Sequence, residues 1–522
     1  MRNLSKIFTA AMIVAALSSC QKDLNLTPTN DITADVAYST PEGYKQVLAK
    51  VYASYATTSG AGSDKSDLGG IDAGTSDFLR LYWNAQELTT DEGLCVWNDQ
   101  GVYDLNYLTF SSDNVILRGL YTRSLYQITV ANEFLRESTP EKLASRNISG
   151  GDAGTIAKYR SEARFLRAYQ YWVLMDLFGN PPYITEENQI GTISPQQIKR
   201  ADLFKYVESE LLAIEPELDV TNQYGRATRG AADMLLSRLY LNANVYTGTA
   251  KNTEAITYAN KVINGGYSLL PAYKNLFLAD NDQANTETIL SINYDGNFTQ
   301  NFGGTTFIIN ASINSDMDPA SFGVPNGGWG GLHASSTLPA MFGSATATDS
   351  RYMFFGDKAA NDDIGVFTDG LRVTKFKNKT KAGVTASSTN GTFSSVDFPL
   401  FRLPEAYLNF AEAVLRGGAG GTTAEAVNYV NLLRARAYGN TSGNVSTINL
   451  DFILAERARE FYWEAQRRTD LVRFGKFTDA SYLWPFKGGS RAGSGIAATR
   501  SIFPLPSADV IANTNLTQNP GY

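Results

Sequence analysis

Helical segments in this chain come in pairs parted by short breaks, and that pattern directs it toward an architecture of helix packed on helix. From Gly230 to Tyr246, the residues Leu235, Leu236, Leu239 and Tyr240 share one side. From Thr253 to Asn264, Ile256, Ala259, Val262 and Ile263 do the same ahead of Gly265-Gly266. Ala231, Ala232, Ala255 and Ala259 are small enough for the two helices to approach closely. A second pair, Pro404 to Leu415 and Ala424 to Tyr438, flanks Gly417-Gly418. Pro404 stands where a first helical turn tolerates proline, and Gly417 where a helix end favours glycine. Another strong helix runs from about Ile156 to Phe178, with Phe165, Leu166, Tyr169, Trp172 and Val173 at helical spacing, and stops at Gly179 and Pro181-Pro182. Asp451 can cap a long helix through Phe452 to Phe474. The expectation is a mostly α chain.

The Gly230–Asn264 pair looks like a tetratricopeptide-type hairpin, although no strict period repeats along the chain. Between the helical halves, from about residue 281 to 397, the composition shifts to Gly, Asn, Thr and Ser with short β-like runs such as Thr305 to Asn310. This reads as a loop-rich insertion. Its aromatics, Phe302, Phe307, Phe322 and Trp329, mark it as a functional surface.

At the start of the chain, Arg2 and Lys6 precede an apolar run, Ile7 to Leu17, too short to span a bilayer. Small residues follow, and residues 1–19 read as a secretory signal peptide. Leu17-Ser18-Ser19-Cys20 resembles a bacterial lipobox, in which cleavage precedes the Cys and the thiol receives a diacylglycerol. Cys20 is therefore the expected lipidation site, and residues 20–30 a lipidated polar spacer. Removing Arg2 and Lys6 takes the formal charge from −7 to −9, and no basic patch points to nucleic acid. With Cys20 lipidated, Cys95 has no disulfide partner.

Catalytic signatures are absent. His333 is the one histidine, with no triad pattern around it, and there is no Walker A or Rossmann fingerprint. Asp91 and Glu92 are adjacent carboxylates, which read as braces for their loop. Asp280 and Asp282, near Asn285 and Glu287, offer hard oxygens suited to a structural calcium. The spacing lacks the EF-hand glycine and terminal glutamate, so a solvated acidic loop is the preferred reading and calcium the alternative.

Four stretches together resemble the SusD/RagB family of outer-membrane glycan-binding lipoproteins. They are Ser161 to Tyr169 leading to Phe178-Gly-Asn-Pro-Pro182, Phe398 to Ala413, Glu460 to Gly475, and Gln518-Asn-Pro-Gly-Tyr522. The family implies a scaffold of tetratricopeptide-like helix pairs, here residues 31–522, whose loop-rich region carries the ligand site. Arg164, Arg167, Glu460, Arg467 and Asp470 within these signatures read as packing and ion-pair elements.

The resemblance is closest to the starch-binding branch, through Gln86 to Glu92, Tyr240 to Gly248, Asn301 to Thr306, Asn326 to Trp329 and Tyr482 to Gly489. That branch implies a shallow arc of aromatic rings edged by polar groups. Trp97, Phe302 and Trp329 match the arc positions, and Asp72 and Arg80 match polar contacts. Phe302 stands where the branch has Tyr. A length change after Trp97 leaves Asn98, Asp99 and Gln100 as rivals for one amide contact, Asn98 being preferred. The chemistry agrees: an α-glucan coil exposes a ridge of C–H bonds that rings can stack on, while Arg and carboxylates bind vicinal hydroxyls. Trp97 and Trp329 lie among Gly, Asn and Asp, which places them at a surface and not in a core. The implied protein binds without cleaving. It is anchored by lipid in the outer membrane facing the exterior, and passes α-glucan to a TonB-dependent SusC-like transporter. No cofactor is expected, a structural calcium at Asp280 and Asp282 being the one alternative. The alternatives are a SusD-like binder of a different polysaccharide and a helical protein-interaction scaffold.

Overall fold

A computed structural model describes residues 33–188, 191 and 194–522. The signal segment, Cys20 and the spacer to residue 30 lie outside the described residues. The longer helices are α1 (Pro41–Ala53), α2 (Phe78–Glu87), α3 (Val115–Glu137), α4 (Gly150–Leu177), α5 (Arg200–Ile214), α6 (Arg229–Leu241), α7 (Asn252–Ile263), α8 (Gly304–Ala311), α9 (Leu403–Leu415), α10 (Thr423–Tyr438), α11 (Leu450–Phe461) and α12 (Arg467–Arg473). Strands are few and short, and they pair two by two. β1 (Gly93–Cys95) pairs with β3 (Leu332–Ala334), β2 (Thr288–Ile292) with β6 (Phe398–Arg402), and β4 (Phe354–Phe355) with β5 (Arg372–Val373), all antiparallel. Among the described residues, no helix is long and apolar enough to cross a membrane.

Helices pack in succession: α3 on α4, α4 on α5, α6 on α7, α7 on α9 and α9 on α10. Small residues make the α6–α7 contact close, since Ala231, Ala232, Ala255 and Ala259 are all fully buried. Thr422 begins α10 with a reciprocal capping box to Glu425. Pairing of β2 with β6 brings the two ends of the insertion together, and pairing of β3 with β1 ties its middle to the scaffold.

Three local expectations differ from the structure. The stretch from Gly230 is two helices, because Asn242 leaves helical geometry and its amide donates back to the Arg238 carbonyl at 2.9 Å, after which a short helix spans Ala243–Thr247. The helix expected through Phe474 is capped by Asn449, not Asp451, and breaks after Phe461. In that break Trp463 and Ala465 adopt left-handed backbone, at φ 67° and 58°. Long-range bonds hold it: the Ala465 amide donates to Glu87 at 2.6 Å, and Lys375 donates to the Tyr462 carbonyl at 2.6 Å. Finally, Thr305–Asn310 is not strand but the body of α8, a β-branched run overruled by its tertiary setting.

A buried charge cluster joins insertion to scaffold. Arg351 donates to Asp349, Glu456 and Glu460, while Arg402 donates to Glu287, Glu460 and Glu464, all at 3% exposure or less. Flanking arginines hold the Glu456 carboxyl down at about 2, against the burial that would raise it. The signature residues act as ion-pair elements, as expected: Arg164 and Arg167 bind Glu210, and Asp470 binds Arg457 and Arg473.

Candidate functional site: an aromatic arc

Four of the six tryptophans, Trp83, Trp172, Trp463 and Trp484, are no more than 2% exposed. The other two, Trp97 and Trp329, are half-buried and lie in loops at the junction of insertion and scaffold. Phe302, 36% exposed, packs with its ring centre 6.3 Å from that of Trp329, at an interplanar angle of 43°. Arg80 connects this pair to Trp97. Its guanidinium carbon lies 5.6 Å from the Trp97 ring centre and 4.4 Å from that of Phe307, and one guanidinium N–H donates to the Phe302 carbonyl at 3.4 Å. The three expected rings therefore form one contiguous patch around an arginine.

Local geometry explains how each ring is presented. Asp77 caps α2 through the Arg80 amide and, with the same oxygen, accepts the Gly304 amide that opens α8, both at 2.8 Å. The loops on either side touch backbone to backbone. A Cβ on Gly74 would stand 2.7 Å from the Phe302 Cβ, and one on Gly303 would stand 2.1 Å from the Asp77 Cβ. Phe302 rests on buried Phe393, and Trp97 rests on Phe307. Gly331, at φ 109°, gives its carbonyl to the Val96 amide and leaves room for the Trp97 indole, whose Nε1 would be 2.2 Å from any Cβ there.

Beside the rings is an open cavity of about 430 Å³ lined by Asp72, Thr75, Arg80, Asn84, Asp99 and Gln100. The exposed Asp72 carboxylate accepts from the Thr75 amide and hydroxyl. The Arg80 Nε and the Asn84 Oδ1 are both buried without a protein partner. Burial pulls the Arg80 guanidinium below its ordinary value, and Asp72 acts in the opposite sense. Of the three rivals after Trp97, Asp99 and Gln100 line this cavity, whereas Asn98 is exposed outside its lining. Asn84 is a further polar group of this cavity, outside the residues that the resemblance marks. Its place four residues after Arg80 on one helix was the available signal.

Other candidates resolve differently. Asp91, the suspected brace, binds Arg467 through both oxygens at 2.7 Å and accepts the Tyr482 hydroxyl at 2.6 Å, so it has no free edge for a sugar. Asp280 accepts the Lys381 amide, Glu287 is taken up by Arg402 and Arg436, and Asp282 is exposed. Among the described residues no group of three or more His, Cys, Asp or Glu could hold a metal ion. His333 is 2% exposed in β3, against the backbone of Phe367 and Asp369, and burial with Arg372 lowers it to about 4. It is a packing residue. A separate apolar cavity of about 290 Å³, lined by Tyr52, Tyr55, Tyr169 and Leu290, includes none of the arc residues.

The mostly helical scaffold with its loop-rich insertion has the fold of solved SusD-like structures. The sequence profile of the SusD family matches residues 320–522. The chain is 34% identical to the starch-binding protein SusD of Bacteroides thetaiotaomicron, over an alignment covering 99% of each chain. It is 24% identical to SusD-like protein P2 of Formosa agariphila, covering 80% of this chain and 83% of that one. The chain belongs to the SusD family. Among solved structures, surface glycan-binding protein A of Bacteroides thetaiotaomicron, in complex with laminarihexaose, superposes with a TM-score of 0.69 at 21% identity, covering 92% of this chain and 99% of that one. Surface glycan-binding protein A of Bacteroides fluxus gives 0.70 at 23% identity, covering 92% and 100%.

Proposed function

We propose that this protein is a non-catalytic, cell-surface glycan-binding lipoprotein. It captures starch-like α-glucan on the Trp97–Phe302–Trp329 arc and passes it to a TonB-dependent SusC-like transporter in the outer membrane. Lipid on Cys20 would tether it, facing the exterior. The observation that carries this reading is that the only two half-buried tryptophans meet Phe302 and Arg80 on one surface. The 34% identity to a protein named for starch binding supports the choice of glucan.

The arc suits a curved polymer. Rings stack on the C–H ridge, while Arg80, Asp72, Asn84, Asp99 and Gln100 offer donors and acceptors to hydroxyls. Each stacked ring contributes on the order of 1 kcal/mol, which gives affinity in roughly the micromolar to millimolar range. Native affinity electrophoresis of residues 21 onward, in gels with amylopectin, dextran, laminarin, inulin or no glycan, tests the reading. Retardation by amylopectin, lost in Trp329→Ala, is the expected result. Retardation only by another glycan would move the substrate within the family, and free migration in every gel would sink the glycan assignment. A Cys20→Ala variant that still fractionates with membranes would refute the anchor. Failure to co-purify with the transporter would refute the hand-over.

A further inference from the structure

We propose that Phe367, with Val366 beside it, is an additional glucan contact that extends the arc past Trp97. This rests on the reading of the arc as an α-glucan site. Phe367 is 46% exposed and Val366 42% exposed, so two large apolar side chains face solvent on one turn.

That turn is well held. Ile364 is buried with Leu94 and Phe486, packed against Tyr103 and Tyr107. The Asp369 carboxylate accepts the Asp362 and Asp363 amides, and the Val366 amide donates to the Asp363 carbonyl at 3.3 Å. Tyr103 in turn donates its hydroxyl to the carbonyl of Val96, the residue before Trp97, at 2.8 Å. The exposure of Phe367 is therefore part of an ordered turn tied to the arc.

Two contacts set its position. The Asn314 amide donates to the Phe367 carbonyl, while the Asn314 Oδ1 accepts the Gly331 amide at 3.2 Å. Gly330 has φ 66°, and a Cβ there would lie 3.2 Å from the Phe367 ring and 2.4 Å from the Asn314 Oδ1. Phe367 thus lies against the backbone joining Trp329 to Gly331, the glycine that leaves room for the Trp97 indole. On the proposed reading, a glucan seated on the arc would pass over it. A patch of two side chains is far smaller than the roughly 800 Å² per partner that a stable protein interface buries. It suits a ligand whose main hold is elsewhere, which is the case for a polymer already seated on three rings.

The consequence is a dependence on chain length. Calorimetric titration of wild type, Phe367→Ala, Phe367→Gln and Trp329→Ala with maltotriose and maltoheptaose reads it out, with thermal unfolding as the check on folding. Both Phe367 variants should weaken maltoheptaose roughly three- to tenfold and leave maltotriose unchanged. If both bind the two sugars as wild type does while Trp329→Ala loses them, the extension is wrong and the arc stands. Equal loss of both sugars would also overturn it, by making Phe367 part of the arc itself. Wild type that binds neither sugar would overturn the arc reading and this inference together.

Discussion

The Asp77 carboxylate accepts the Gly304 amide at 2.8 Å across 227 residues of chain. The same oxygen caps α2 through Arg80, so one acceptor starts two helices and fixes the relation between the loop that leads to Arg80 and the loop that carries Phe302. Replacing it should therefore disturb stability and binding together. Asp77→Ala should lower unfolding stability by about 1–2 kcal/mol in denaturant titration and weaken amylopectin retardation. Unchanged stability would show that the shared cap contributes little.

Gly331 tests whether the seat of Trp97 matters for binding. Gly331→Ala places a Cβ against the indole at a backbone angle of φ 109°, which side-chain-bearing residues avoid. A loss of about 1–2 kcal/mol in stability is expected, with α-glucan binding weakened about fivefold or more by calorimetry. Full affinity in this variant would mean that Trp97 is not a stacking ring.

Phe302 offers a gain instead of a loss. Phe302→Tyr adds a hydroxyl to a ring that is 36% exposed and already in the arc. A net hydrogen bond of about 0.5–1.5 kcal/mol corresponds to roughly two- to tenfold tighter binding of maltoheptaose. Equal or weaker affinity would show that this hydroxyl meets no partner on the glucan.

The buried charge cluster predicts acid sensitivity. Arginines hold the Glu456 carboxyl at about 2, below its ordinary 4.5, so the folded state binds this proton less readily than the unfolded chain. The stabilisation is present above about pH 4.5 and is lost as pH falls toward 2. Glu456→Gln should flatten that part of the profile, measured as thermal midpoint against pH. At pH 7 it should cost about 3–5 kcal/mol, because it leaves Arg351, Arg434 and Arg459 short of a charged partner.

The sequence by itself determined the helix pairs, because apolar spacing and glycine or proline stops are local: α6 with α7 and α9 with α10 lie close to where periodicity puts them. It also marked Trp97 and Trp329 as surface rings through their Gly- and Asn-rich surroundings. Only the tertiary structure decided the state of Thr305–Asn310, whose β-branched residues point one way until the Asp77 cap and contacts to Ser394 and Val396 make it a helix. The break at Trp463–Ala465 is of the same kind, held by Glu87 and Lys375 from distant parts of the chain. The contact of Arg80 with Trp97 and Phe302 likewise depends on glycines that let three loops meet. Backbone approach between segments hundreds of residues apart leaves no periodic trace in sequence, and for that reason the arc became a surface only in the folded chain.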